Sequence, residues 1–400
     1  MTNDRAPADV DSVMPFPEGA RVIHIGPPKT GTTSLQGAFD RARAAVLAQG
    51  VRYVGPKRHS RRAVLAVTAA RTGRPFDAEA GQREWDRILA EARSAGEPRV
   101  LFSSERLSHA EAASIPGIVE GFDRGRVHVI VTLRPLVKIL PSQWQQGVQA
   151  GQPRSLDEWL ERAFAAPPDG SRSIWHWHRH DRLVARWADV VGTDRLTVIV
   201  VDDRDRTSLL RAFERLLELR PDTLRLHDDL ANRSLTLPEV EALRAFNRLA
   251  QERGLPPDLR WRLLDPGTSR RLQARVPAAD EAPVRLPAWA APQVAKIADD
   301  TVAAIKASGV RILGDLDILR RPAETLSTDD EATSGAPDVA GSLAMALLAA
   351  GGALPWPPGA GGAPKERLNR ASSRRLAVTL AHRFERKATT ALRVVRDRLG

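Results

Sequence analysis

Not one of the 400 residues is a cysteine. That excludes disulfides, a thiolate metal site and a cysteine nucleophile, and it fits a reducing cytoplasm. Aromatic residues make up only 5% of the chain and are not interleaved with a dense basic surface, so a pI of 10.8 does not read as a nucleic-acid interface. Long apolar runs are missing as well. The stretch from Val339 to Ala350 falls short of the ~20 residues that a membrane span needs, and its small side chains fit a loosely packed helix. Met1 to Gly19 carries aspartates and prolines without a basic, apolar signal-peptide pattern, so no secretion is expected.

What is present is enough hydrophobic material, 42% of 400 residues, for one large domain or two ordinary ones. Positive charge gathers at the end. Residues 365–400 hold eleven Lys/Arg against three Asp/Glu, a net of +8 out of the chain's +11. At 100° per residue, Leu376, Leu380, Phe384, Ala388, Ala391, Leu392, Val395 and Leu399 fall within about 160° of arc. Most of Arg375, Arg383, Arg386, Arg393 and Arg396 fall outside it. This basic amphipathic helix suits an anionic membrane surface or a partner. It equally suits folding back on the chain's own core, or remaining disordered on its linker.

The chemistry concentrates in Val22-Ile-His-Ile-Gly-Pro-Pro-Lys-Thr-Gly-Thr-Thr-Ser-Leu-Gln36. An apolar run breaks into a turn and resumes with helical spacing, which reads as strand, anion-binding loop, helix. Gly26 and Gly31 are five apart, as in loops whose backbone N–H groups and helix N-terminus converge on a phosphate. Lys29 supplies the charge. Nucleotide hydrolases place the lysine after the second glycine, with a hydroxyl on magnesium. Here Thr32 and Thr33 follow Gly31, and the next apolar run ends in Ser103-Ser-Glu105 rather than an aspartate, so an anion held without a metal is expected.

A second stretch, Val127 to Trp144, is a strand that gives way at Arg134-Pro135 to a helix, with Ser142 eight residues after Arg134. An arginine and a hydroxyl so placed can grip one phosphate from two sides. Together the two stretches resemble the sulfotransferase family that uses 3′-phosphoadenosine 5′-phosphosulfate, over most of residues 21–318. The resemblance implies that Lys29, Thr30, Gly31, Thr32, Thr33 and Ser34 hold the 5′-phosphosulfate, with Lys29 also catalytic. It implies that Arg134 and Ser142 hold the 3′-phosphate. The Arg-Lys-Gly segment that completes this site in hormone-type members is not visible here. Arg233, in Asn232-Arg-Ser-Leu235, is a candidate third ligand, with an ordinary surface arginine as the alternative.

In a parallel α/β sheet, ligands bind outside the carboxyl ends of the strands, which would bring Gly26–Thr33, Ser103–Glu105 and Arg134 together. Glu105 is then the candidate general base, the role glutamate fills in the glycan-modifying branch of the family. Alternatively it orients Lys29 or caps a helix, and His24 or His109 stands as a substitute base.

The remaining pattern alternates. Helices are expected at Ser34–Ala48, 81–95, 206–219 and roughly 289–308, strands at Val51–Val54 and Arg195–Asp203, and a helix cap at Thr236, Pro238 and Glu239. This is a doubly wound parallel α/β sheet of P-loop-NTPase type. Lys57, Arg58, His59, Arg61, Arg62, Arg71 and Arg74 face either an anionic acceptor or solvent. Ser171–His180 offers alternate histidines for a metal, but Ile174, Trp177, Leu183 and Trp187 space as one apolar stripe, so a structural helix with surface histidines is expected.

The expected organisation is a flexible N-terminus (1–20), a sulfotransferase-like domain (21–320), an Ala/Gly/Pro-rich linker (321–364) and the basic helix (365–400). The expected function is sulfuryl transfer from 3′-phosphoadenosine 5′-phosphosulfate, without a metal, to a hydroxyl or amine of a glycan, lipid or small molecule. The alternatives are a phosphoryl-transfer P-loop enzyme and a non-catalytic nucleotide- or anion-binding protein. The expected place is the cytoplasm, with the tail reaching the inner membrane face.

Overall fold

A computed structural model describes residues 14–55, 60–68, 76–167, 173–205, 207–226, 233–264, 267–322, 325–326 and a few positions between 339 and 347. Lys57, Arg58, His59, Arg71 and Arg74, most of the expected linker, and the whole basic tail lie outside these residues.

The strands are β1 (Arg21–His24), β2 (Val51–Tyr53), β3 (Arg99–Ser103), β4 (Val127–Leu133), β5 (Leu196–Val200), β6 (Leu286–Pro287), β7 (Arg311–Leu313) and β8 (Thr325–Leu326). Runs of β-branched and aliphatic residues in β1, β3, β4 and β5 are buried almost throughout, as parallel strands covered by helices must be. Six strands form a parallel sheet in the order β2-β3-β1-β4-β5-β7, and β6 pairs with β8 separately. Between them run α1 (Thr32–Arg41), α2 (Arg43–Leu47), α3 (Arg61–Val67), α4 (Ala78–Ser94), α5 (Ile115–Gly121), α6 (Leu136–Gln149) and α7 (Leu156–Ala165). After these come α8 (Trp175–His178), α9 (His180–Val191), α10 (Ser208–Leu216), α11 (Leu237–Glu252), α12 (Pro257–Leu264), α13 (Gly267–Ala274) and α14 (Ala291–Ala307).

Because side chains alternate along a strand, the sheet feeds two cores. Val22, Leu101, Ile130, Ile199 and Leu313 pack with Leu35 and Phe39 of α1 and Phe213 of α10. Their neighbours Ile23, Val100, Phe102, Val129, Val131, Val198 and Val200 pack with Trp85 of α4, Ile118 of α5, Trp187 of α9 and Val302 of α14. Helices therefore cover both faces, and the doubly wound fold expected from the sequence is the one observed. From β1 the chain runs to the β2/β3 side, and from β4 to the β5 side. This reversal opens a crevice at the carboxyl ends of β1 and β4, where such sheets bind ligands.

Two compact units divide the chain. The first contains the sheet (residues 1–143, 156–231 and 285–327), and the second comprises 144–155, 232–284 and 328–400. In the second, fully buried Trp144 donates to the Arg154 carbonyl at 3.0 Å, and Asn247 Nδ2 donates to the carbonyls of Val148 and Gln152 at 2.8 and 3.0 Å. Among the described residues no helix is long and apolar enough to cross a membrane.

Several local expectations need correcting. Residues 14–20, counted with a flexible N-terminus, are anchored: Phe16 is buried, and its N–H donates to the Leu216 carbonyl at 2.9 Å while Arg99 Nε donates to its own carbonyl at 2.8 Å. The helix expected at Ser34–Ala48 breaks at Ala42 into α1 and α2. That expected at 81–95 starts three residues earlier, at Ala78, because the Asp77 carboxylate caps it by accepting from the Ala80 N–H at 2.8 Å. The histidines expected on a helix surface are instead inside, with His176, His178 and His180 exposed by 8%, 0% and 2%. The chain bends at Arg179, clamped by a 2.6 Å ion pair with Asp181, so the segment splits into α8 and α9 and turns its imidazoles inward.

Candidate functional site

The loop after β1 is built by backbone conformations that most side chains avoid. Gly26, Lys29 and Gly31 all have positive φ, at 79°, 71° and 87°. At Gly26 the reason is visible: a Cβ there would lie 2.8 Å from Cα and Cβ of Glu105, so the missing side chain lets β3's end close onto the loop. Beneath the loop lies a polar lattice. The Gly26 carbonyl accepts from the Thr132 N–H at 2.8 Å, and Thr30 Oγ1 bonds the Pro27 carbonyl at 2.7 Å and Thr132 Oγ1 at 2.6 Å. His24, fully buried, bonds Ser103 Oγ at 2.8 Å through Nδ1 and Thr132 Oγ1 at 3.2 Å through Nε2. Burial pushes its pKa down to about 3, so it is neutral. Thr30 thus turns its hydroxyl into the lattice, leaving its backbone N–H for a ligand.

Gly31 is the N-cap of α1, and no side chain caps this helix or places a carboxylate in its first turn. The N–H groups of Thr32, Thr33 and Ser34 therefore form an N-terminus suited to an anion. Thr32 is buried, Thr33 exposed and Ser34 between. The Lys29 ammonium makes no hydrogen bond or ion pair with a described residue. Burial, then the Arg134 charge, lower its pKa, while Glu105 opposes them. A half-buried, unpaired ammonium beside an uncapped helix start is a site whose anion is not supplied by the described residues.

Glu105 begins the 3₁₀ turn Glu105–His109 after β3. Its Oε2 accepts from Gln36 Nε2 of α1 at 3.1 Å, and that amide also reaches Ser103 Oγ at 3.3 Å. Gln36 and Thr132 are the residues that sequence reasoning missed. The one available signal was a glutamine at a buried helix position, one turn after Thr32. Substitute base His109 lies on the same turn, its ring stacked on Trp177 at 4.1 Å. Burial, then Arg106, push its pKa down to about 3.

Arg134, at the end of β4, joins the same place. Nη1 donates to the Lys29 carbonyl at 3.4 Å, while Nε and Nη2 donate to Asp203 Oδ2 at 3.1 and 2.7 Å. Ser142 sits half-buried in α6. Arg233 belongs to the second unit and is committed there: it meets Glu239 at 2.6 Å through both Nη1 and Nη2, and the Leu272 carbonyl at 2.6 Å. Neither a bare surface arginine nor an uncommitted phosphate ligand describes it. Among the described residues no three His, Asp or Glu side chains are grouped to hold a metal.

Comparison with known proteins agrees with this geometry. Residues 21–203, just under half of the 400, match the family model described as Sulfotransferase domain. The crystal structure of a sulfotransferase from Alicyclobacillus acidocaldarius aligns with 18% identity over 58% of this chain and 95% of that one. Its TM-score of 0.37 is too low to add weight. No curated protein matches significantly. The matched segment, residues 21–203, spans the loop, Glu105, Arg134 and Asp203, and over it the chain is similar to the sulfotransferase family.

Proposed function

We propose that the chain transfers a sulfuryl group from 3′-phosphoadenosine 5′-phosphosulfate to a hydroxyl or amine of an acceptor. The observation that carries this is the unpaired Lys29 ammonium beside the uncapped start of α1, with Glu105 in electrostatic reach. Lys29 and the N–H groups of residues 30–34 hold the 5′-phosphosulfate. When the S–O bond to the phosphate breaks, charge grows on the departing oxygen, and these donors stabilise it. Glu105, kept in place by Gln36 and by the close approach of Gly26, takes the proton of the attacking group as the new bond to sulfur forms. His24 is ill suited to that role because both its ring nitrogens are engaged.

Arg134 and Ser142 are assigned to the 3′-phosphate. The Asp203 pair is half-exposed on the carboxylate side and leaves part of the guanidinium's N–H groups for a ligand. The basic tail, residues 365–400, is assigned to peripheral attachment at an anionic membrane. The direct test of the nucleotide assignment is to titrate the full chain with adenosine 3′,5′-bisphosphate and, separately, with ATP plus magnesium. Preference for the bisphosphate supports the proposal, and preference for ATP plus magnesium moves the chain to phosphoryl transfer.

A further inference from the structure

Next to Glu105 the chain leaves a second cation without a partner. Arg106 is half-buried, yet it makes no hydrogen bond or ion pair with a described residue, and its nitrogens are not among those sealed from solvent. Its neighbours show that this is selective. Glu105, one residue earlier, accepts from Gln36 Nε2 through Oε2. Arg186 gives Nη2 to the carbonyls of Ser108 and His176, at 3.3 and 2.9 Å, while its Nε is buried without a partner among the described residues. Arg62 is paired with Glu84 at 3.3 Å. Arg61, exposed in the first turn of α3, is like Arg106 in having no hydrogen-bond or ion-pair partner among the described residues.

α3 packs on the turn that carries Glu105, which brings the Arg61 charge within electrostatic reach of Arg106. Ala63 and Val64 of α3 share a core with Leu107 and Ala110, and the Thr68 carbonyl at the far end of α3 accepts from the Glu111 N–H at 3.3 Å. Burial, then the Arg61 charge, lower the Arg106 pKa, with Glu105 opposing. Two guanidiniums in mutual repulsion, one of them partly desolvated, are stabilised by an oxyanion bound between them. Glu105 is the charge common to the surroundings of Lys29 and of Arg106, so such an oxyanion would lie beside the base.

We propose that Arg61 and Arg106 hold an oxyanion carried by the acceptor, so that the substrate class is a hydroxyl- or amine-bearing molecule that also bears a carboxylate or phosphate. This rests on the sulfuryl-transfer reading, and its test is separable from it. With adenosine 3′,5′-bisphosphate saturating, and again without it, the full chain is titrated with glucuronate, glucose 6-phosphate and glucose. At least one anionic sugar is expected to bind about tenfold or more tightly than glucose, and the better of the two tells carboxylate from phosphate. The double variant Arg61→Gln/Arg106→Gln should erase that preference while keeping its bisphosphate affinity. Should it not fold, Arg106→Lys takes its place and is expected to weaken the preference several-fold. Equal or absent binding of all three sugars overturns the proposal, as does a preference that survives the substitutions. Loss of bisphosphate binding in the wild type would instead overturn the donor assignment.

Discussion

Two clusters of charge, one in each unit, are treated in opposite ways. In the second unit the described charges around Glu239 are all paired. Glu239, fully buried, accepts from Arg233 through both Nη1 and Nη2 at 2.6 Å, from Arg275 at 2.9 Å and from the Thr236 N–H at 2.9 Å, and Arg275 also pairs with Glu281. In the first unit Glu105 has one amide donor, and Lys29, Arg61 and Arg106 have no hydrogen-bond or ion-pair partner among the described residues. A closed cluster holds the chain together, since removing one partner strands a buried charge. An open one contributes little to the fold and keeps its charge for a ligand.

The sharpest way to break the contrast is to neutralise a carboxylate in each. Glu105→Gln is expected to lower turnover at least about hundredfold, the scale of general-base catalysis, with bisphosphate affinity and thermal midpoint kept. Steady-state kinetics beside a melting curve would show it, and unchanged turnover would shift the base to another group. Arg275→Met should do the reverse: donor binding intact, stability reduced by about 2 kcal/mol or more in denaturant titration. Its effect should depend on acid. The Arg275 hydrogen bond is the main cause holding Glu281 down to about 2, and a carboxylate depressed on folding stabilises above its unfolded pKa and loses that as pH falls. The stability gap between wild type and Arg275→Met should therefore shrink from about pH 4.5 to about pH 2. A pH-independent gap would mean that Arg275 acts by packing. The smallest effect concerns Asp203→Asn, which removes a half-exposed carboxylate from Arg134. Bisphosphate should then bind about two- to threefold tighter, and weaker binding would show that Asp203 serves chiefly to aim the guanidinium.

The sheet was legible because its strands are unbroken β-branched runs, and the loop because Gly26, Lys29 and Gly31 stand out in a short stretch. Less legible was whatever depends on register. Thr132 reaches His24 and Thr30 only because β1 and β4 pair with His24 opposite Ile130, and Asp203 reaches Arg134 across 69 residues through the pairing of β4 with β5. The buried histidines misled for a related cause: hydrophobic spacing located the helix but not its bend at Arg179, which sets the direction in which the imidazoles point. Arg233 was misplaced because its partners Glu239, Leu272 and Arg275 come from later in the chain.

The central claim is that Lys29 is unpaired because its partner is the 5′-phosphosulfate. Titrating wild type and Lys29→Ala with 3′-phosphoadenosine 5′-phosphosulfate by calorimetry tests it, with a melting curve for each. The account predicts a loss of affinity of about hundredfold, or ~2.7 kcal/mol, with a thermal midpoint unchanged or raised. Equal affinity in the two proteins, or a variant that loses stability instead of binding, would contradict it.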